Sequence, residues 1–428
     1  MRIIICVSVA FVENGFLTMN PARGTPHSLA GTLLCNGRLV CVGLLSLFLT
    51  PGIRGAEGEK ATNKIARAVE SKPLAAVLPP EKWQKVEDAV DHALAWLATQ
   101  QSPDGSFETL PVGQPGITSL ATMAFLSRGH QPGHGMYGRK IDQAIDFVLS
   151  CQMSNGLISL LPPGPVHQDK QPSHTAVYNH AISGLMLGEA YGQISGQRAK
   201  IVKQAIGRAL QFSREMQLRP KRPIDKGGWR YIRVYVRSGV DSDLSVTGWQ
   251  LMFLRSAKNA EFDVPQAQMD EAIAYVRRLW DPNTGSFNYE LYDAIGPRNS
   301  RGMTGAGVLS LSMAGQHQTP IALAAGDWLL AHPFKRFGEL PTVRDRFFYG
   351  AYYCSQAMAQ LGGRYWEQFF PSLAEVLLTS QTSDGSWPPE VGGYGPTGGE
   401  AVFGSVYSSA LAVLSLTPPY QLLPVYQR

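Results

Sequence analysis

From residue 83 onward the chain alternates two kinds of apolar run. The first kind is amphipathic. In KVEDAVDHALAWLATQ, residues 85–100, apolar side chains such as Ala93, Leu94 and Leu97 recur at three- and four-residue spacing between charged positions. That spacing predicts a helix with one buried face. GRKIDQAIDFVLS, KIVKQAIGRALQFSREMQ, QMDEAIAYVRRLW and PSLAEVLLTS follow the same rule. The second kind is apolar nearly all round and rich in Ala, Gly, Ser and Thr: ITSLATMAFL, HTAVYNHAISGLML, LSVTGWQLMFLRSA, MTGAGVLSLSMAG, FYGAYYCSQAMAQLG and VYSSALAVLSL. A helix hydrophobic on every side is buried, and small residues let helix axes come close. The amphipathic set is therefore expected outside and the small-residue set inside.

The corners between the two kinds repeat as well. All five carry Gln or Asp ahead of a Gly turn, and four of the turns run on into an aromatic: QSPDGSF, CQMSNGLIS, DKGGWRY, DPNTGSFNY and QTSDGSW. Their glycines are Gly105, Gly156, Gly228, Gly285 and Gly385. Such a glycine accepts positive φ and stops the helix, the Gln caps carbonyls or turn amides, and the aromatic folds back over the helix end. The double gap before Gly385 leaves room for a degenerate copy with the helix IALAAGDWLLAH. With no region of strand period, the expectation is an all-α fold, an α/α toroid of five to six helix pairs.

The motif Gln-x3-Gly-x-Trp/Phe resembles the QW repeat of squalene and oxidosqualene cyclases and of protein prenyltransferase β subunits. QTSDGSW fits it fully, and QSPDGSF has Phe for Trp. The likeness spans about residues 83–420, one toroid where full squalene cyclases carry two. The closing YSSALAVLSLTPPYQLLPVYQR looks like the tail of exported bacterial proteins with these repeats. The resemblance implies that the N-terminal ends of the inner helices line a central cavity. Thr118, His174, Tyr178, Asp241, Asp243, Thr304, Tyr349, Tyr352, Tyr353, Phe403 and Tyr407 are then the candidate site residues. It also implies a protein acting on, or binding, an isoprenoid or lipid, as a terpenoid cyclase-like isomerase or transferase if it is an enzyme. The alternative is a non-catalytic exported toroid that binds a partner protein or peptide.

Within that set, VDSDLSVTGWQ is the sharpest chemical feature. Class II terpene cyclases protonate their substrate with an Asp of a DxDD motif, a carboxylic acid kept neutral by a dry pocket and nearby carboxylates. Asp241-Ser242-Asp243 matches three positions and Leu244 breaks the fourth. Asp243 is thus either the acid or, just ahead of Ser245-Val246-Thr247, a helix N-cap. The rings of RFFYGAYYC either stabilise a cation or pack in the core. A carbohydrate-active α/α barrel would need two facing carboxylates. Glu390 and Glu400, in the loop of residues 388–404 that could lid the cavity, are the pair on offer.

Composition adds limits. The chain has 428 residues, 44% hydrophobic, with net charge +5 and no basic cluster interleaved with aromatics, so nucleic acid is not an expected partner. No cofactor or metal site is expected. There is no CxxC spacing, His174 and His180 are six apart, and His130 and His134 sit in a Gly-Pro loop. LVCVGLLSLFLT, residues 39–50, suits a signal-peptide core better than a membrane span. Residues 1–56 are therefore read as an export leader, 57–82 as a linker and 83–428 as the toroid. Contact with a membrane is expected only through an uncleaved leader.

Overall fold

The computed structural model describes residues 73–233, 239–291, 298–339, 345–389 and 401–427. The leader, most of the linker, and Glu390 and Glu400 lie outside them. Twelve α-helices lie among the described residues. The odd-numbered ones are α1 (Pro80–Thr99), α3 (Gly138–Ser150), α5 (Gly196–Gln217), α7 (Gln266–Arg278), α9 (Pro320–Ala331) and α11 (Gly363–Ser380). The even-numbered ones are α2 (Gly116–Ser127), α4 (Pro172–Tyr191), α6 (Leu244–Asn259), α8 (Arg301–Ser312), α10 (Phe347–Leu361) and α12 (Gly404–Leu416). The even helices are the small-residue runs. Each packs on the next, α2 on α4 and so on to α12, and α12 returns to α2. The inner ring is therefore closed, and the fold is an α/α toroid of six pairs. The degenerate sixth pair is α9 with α10.

Small residues bring the inner helices together as the pattern requires. A Cβ on Gly305 would stand 2.8 Å from the Cys354 backbone nitrogen of α10, and one on Gly184 2.7 Å from the Phe253 ring of α6. All of α2 and α10 is buried. The outer helices bury one stripe each, as with Val86, Ala89, Val90, Ala93, Leu94 and Leu97 of α1. Extended structure among the described residues is limited to short corner pairings such as Trp280–Asp281 with Ser286–Phe287.

The corners stitch neighbouring pairs rather than capping their own helix. The Gln101 amide donates to Gly105 O at 3.1 Å and to Lys140 O, at the head of the next outer helix, at 2.8 Å. Gln152 does the same to Gly156 O and Ala205 O, Gln217 to Gly227 O and Gln268 O, and Gln381 to Gly385 O and Ala89 O. The last of these ties the end of the ring to its first helix. The corner glycine lies against that same neighbour. A Cβ at Gly105, Gly156 or Gly227 would come within 2.1–2.3 Å of a carbonyl oxygen of the next outer helix. In the third copy the residue with φ +93° is Gly227, one before the Gly228 expected from sequence. The aromatic does fold back: the indole nitrogens of Trp229 and Trp387 donate to Ser213 O and Leu377 O of the preceding outer helix.

Leu74–Val77 forms a 3-10 turn, and the Trp366 indole donates to Leu74 O at 2.8 Å. Cys151 and Cys354 are free and buried, and burial pushes the Cys151 thiol up to about 11. No helix among the described residues is long and apolar enough to cross a membrane.

Candidate functional site

A cavity of about 640 Å³ opens at the N-terminal ends of the inner helices. Every even helix contributes from its first turns: Ile117 and Leu120, His174 and Tyr178, Ser245 and Trp249, Gly302 and Met303, Tyr349, and Tyr407 with Phe403 just before it. Most of the lining is apolar or aromatic. Its charged residues, Asp169, Lys170, Arg298 and Arg346, stand just ahead of α4, α8 and α10, at the end where the cavity opens. The volume is that of a small-molecule site, about 300–1,000 Å³.

Of the residues singled out in the sequence, His174, Tyr178, Tyr349, Phe403 and Tyr407 line this cavity. Tyr352 and Tyr353 do not. They sit one helical turn beyond Tyr349, about 5 Å deeper. There Tyr352 stacks on Trp249 at 5.4 Å and its hydroxyl meets Tyr426, while Tyr353 meets the Trp249 edge. Both lie beneath the floor that Trp249 makes. Thr304 is structural too. Its hydroxyl accepts from the Phe287 amide, as Thr118 accepts from Phe107, Thr247 from Trp229 and Ser409 from Trp387. In the second copy His180 Nδ1 takes that role for the Ile158 amide at 3.2 Å, and its Nε2–H then donates to Ser213. Burial lowers His180 to about 3, so the ring is neutral.

The two aspartates also stand outside the cavity lining. Asp243 is the N-cap of α6. Its Oδ1 accepts from the Val246 amide and the Ser245 hydroxyl, both at 2.8 Å, and its Oδ2 pairs with Arg230 Nη1 at 3.0 Å. A capping carboxylate must turn back onto its own helix, and that turn takes it away from the lumen. Burial raises the Asp243 carboxyl, and Arg230, the Val246 amide and Ser245 act against the rise. Asp241 lies in the preceding loop, where its carboxylate accepts from the Arg222 amide at 2.8 Å. Asp243 meets the cavity at second hand, through Ser245, whose hydroxyl meets that of Tyr178 at 2.6 Å, and through Arg230.

Several lining residues were not anticipated. Tyr231 and Tyr289 form a shelf, joined hydroxyl to hydroxyl, with Arg230 beneath both rings. Arg230 is pinned by Asp243 and by Glu290 Oε2 at 2.8 Å. A signal for the shelf was available: each tyrosine comes two residues after a corner aromatic, Trp229 or Phe287, and extended backbone turns alternate residues to the same side. Asp169 was missed for want of any motif around it. It bridges His167 Nε2 at 2.9 Å and His174 Nδ1 at 3.4 Å, and the hydrogen bond of His174, then that of His167, holds its carboxyl well below the usual range. Among the described residues, these three bring one nitrogen or oxygen atom each to within 4.8 Å of one another.

No protein-family model and no curated protein matches the sequence. Solved structures do resemble the fold. An inactive variant of an alpha-1,6-mannanase of Salegentibacter, in complex with alpha-1,6-mannotriose, superposes with TM-score 0.53 at 10% identity, covering 79% of this chain and 99% of that one. A type II terpene cyclase from Scytonema, in complex with geranylgeranyl dihydroxybenzoate, gives TM-score 0.53 at 13% identity over 81% and 100%. A protein from Actinoplanes gives 0.51 at 17% over 78% and 99%. At these identities the likeness is one of fold.

Proposed function

We propose that the toroid binds an isoprenoid or similar long apolar molecule, its tail on Ile117, Leu120, Ile182 and Trp249 and an anionic end at Lys170, Arg298 and Arg346. The observation that carries this reading is the polarity of the cavity: an aromatic, apolar chamber with its cations at one end. Removing a long tail from water stabilises the complex by about 25 cal/mol per Å² of apolar surface buried. The cations then select the end that stays at the mouth.

Binding is favoured over cyclisation. Acid-started cyclisation requires a neutral carboxylic acid facing the substrate. Among the described residues, the carboxylate on the cavity wall is Asp169, which two histidines hold ionised. Asp243 spends its oxygens on the cap and on Arg230. Glycoside cleavage needs two facing carboxylates, and the described lining has one. A toroid serving only as a docking body for a protein partner would be expected to have a filled centre, and this one is open. On the strength of the leader alone we place the ligand outside the cytoplasm.

Calorimetric titration of the purified protein with farnesyl and geranylgeranyl diphosphate, palmitate and mannotriose tests the reading. One molecule of an apolar-tailed anion per chain is expected, with no heat from mannotriose. Ile182→Trp, which fills the chamber, should abolish that heat. Absence of binding by every apolar-tailed anion, or undiminished binding in Ile182→Trp, overturns it.

A further inference from the structure

The His167, Asp169 and His174 cluster offers one donor atom from each side chain, all within 4.8 Å of one another. Around a first-row ion with bonds of about 2.0–2.2 Å, neighbouring ligand atoms stand about 3.0–3.5 Å apart. The separations of Asp169 Oδ1 from His167 Nε2, 2.9 Å, and from His174 Nδ1, 3.4 Å, fall at that scale. An ion between them would take the place of the Lys170 backbone amide, which donates to His174 Nδ1 at 3.3 Å.

An independent observation concerns how His167 is held. Its Nδ1 faces Arg233 O at 3.1 Å, its ring is stacked on Tyr231 at 5.0 Å and 20°, and its side chain is 3% exposed. A carbonyl accepts and never donates, so Nδ1 points its N–H at it and Nε2 is the nitrogen turned to Asp169. A backbone carbonyl on the far nitrogen is also the partner that orients a metal-ligating imidazole. His174 lies against the same Tyr231 ring at 4.1 Å, so one aromatic shelf positions both rings.

We propose that His167, Asp169 and His174 bind one divalent first-row metal ion at the mouth of the cavity, zinc by the match of imidazole and carboxylate donors. Asp169 and His174 line the cavity, so the ion's remaining coordination positions are reached from it. Two neutral imidazoles and one carboxylate leave a zinc ion with a net positive charge. The ion would then add to Lys170, Arg298 and Arg346 as a holder of the anionic end. This last point rests on the ligand proposed above; the metal site itself does not.

The test uses the full chain, tag-free and stripped with a chelator, titrated with zinc sulfate by calorimetry and with Co²⁺ by visible absorption. One ion per chain is expected, with a Co²⁺ spectrum of low-symmetry nitrogen and oxygen ligation. Asp169→Asn and His167→Gln should each weaken binding by at least about 100-fold, since loss of a supporting partner alone costs about 10–100-fold. Asp169 is 78% exposed, so its replacement leaves the fold intact and the circular dichroism unchanged. His134→Ala, in a different loop, should have no effect. Absence of stoichiometric binding, or parental affinity in both Asp169→Asn and His167→Gln, overturns the site. Titration of the metal-free protein with farnesol, which has no anionic end, reads the apolar chamber separately and shows which of the two readings has failed.

Discussion

Replacing Asp243 by Asn separates a structural cap from a catalytic acid. Asn keeps an oxygen for the Val246 amide and the Ser245 hydroxyl, so the α6 cap survives. The change falls on the other atom. An NH₂ group would face Arg230 Nη1 across 3.0 Å, donor against donor, in a region where Arg230 is 7% exposed and Asp243 fully buried. A charge-assisted hydrogen bond contributes about 1.5–3 kcal/mol, and stripping one partner from a buried pair costs about 3–5 kcal/mol. Glu290 remains on Arg230 at 2.8 Å and absorbs part of that cost. The expected loss is about 2–3 kcal/mol for Asp243→Asn. Asp243→Ala, which also removes the cap, should cost about 1 kcal/mol more. Urea unfolding followed by circular dichroism measures both, and calorimetry with geranylgeranyl diphosphate on the folded variants should give nearly unchanged affinity. The reasoning fails if Asp243→Asn is as stable as the parent while converting a substrate-cyclising protein into an inactive one.

Three further outcomes are expected. Gly227→Ala, at φ +93° with a Cβ 2.1 Å from Glu271 O, should destabilise by about 2–3 kcal/mol, whereas Gly315→Ala, at φ +70° with nothing within 4 Å, should lose only about 1 kcal/mol of backbone strain, both read as thermal midpoints. Gln217→Met strands the Gly227 and Gln268 carbonyl oxygens and should cost about 2–3 kcal/mol in urea unfolding. Two buried groups set opposing pH dependences. Burial lowers His180 from 6.5 to about 3, so its contribution to stability is lost as pH falls below 6.5; burial raises Glu189 from 4.5 to about 7, so its contribution is lost as pH rises from 4.5 to 7. Between pH 4.5 and 6.5 the two should nearly cancel, and Glu189→Gln should unmask a stability that climbs with pH through that window, by up to about 1.4 kcal/mol per unit. A flat profile in Glu189→Gln, measured by unfolding across that range, refutes the assignment.

The layering of this protein was legible in its sequence because burial acts residue by residue. A run such as FYGAYYCSQAMAQLG has no polar stripe to offer water, so it must lie inside, and PSLAEVLLTS has one, so it must lie outside. The corner glycines were legible for a similarly local reason, since positive φ leaves few other choices; only Gly227 was misplaced, by its twin Gly228. Partners drawn from distant segments were not legible. That Gln101 would reach Lys140, or Gln381 reach Ala89 to close the ring, depends on where another helix arrives. The same limit governs the site. Tyr349 and Tyr352 are equally plausible from composition, and only the depth at which Trp249 closes the floor puts one in the lumen and the other beneath it. Asp243 has the spacing of an acid, and its capping geometry with Arg230 behind it turns its oxygens to α6 and Arg230 instead of the lumen. His167 and Asp169 belong to no motif; they become a cluster with His174 because Tyr231, more than fifty residues away, folds back as the surface on which both rings rest. Pattern decides which side of a layer a residue occupies, and side-chain chemistry across the lumen is decided by packing between segments that the chain itself keeps far apart.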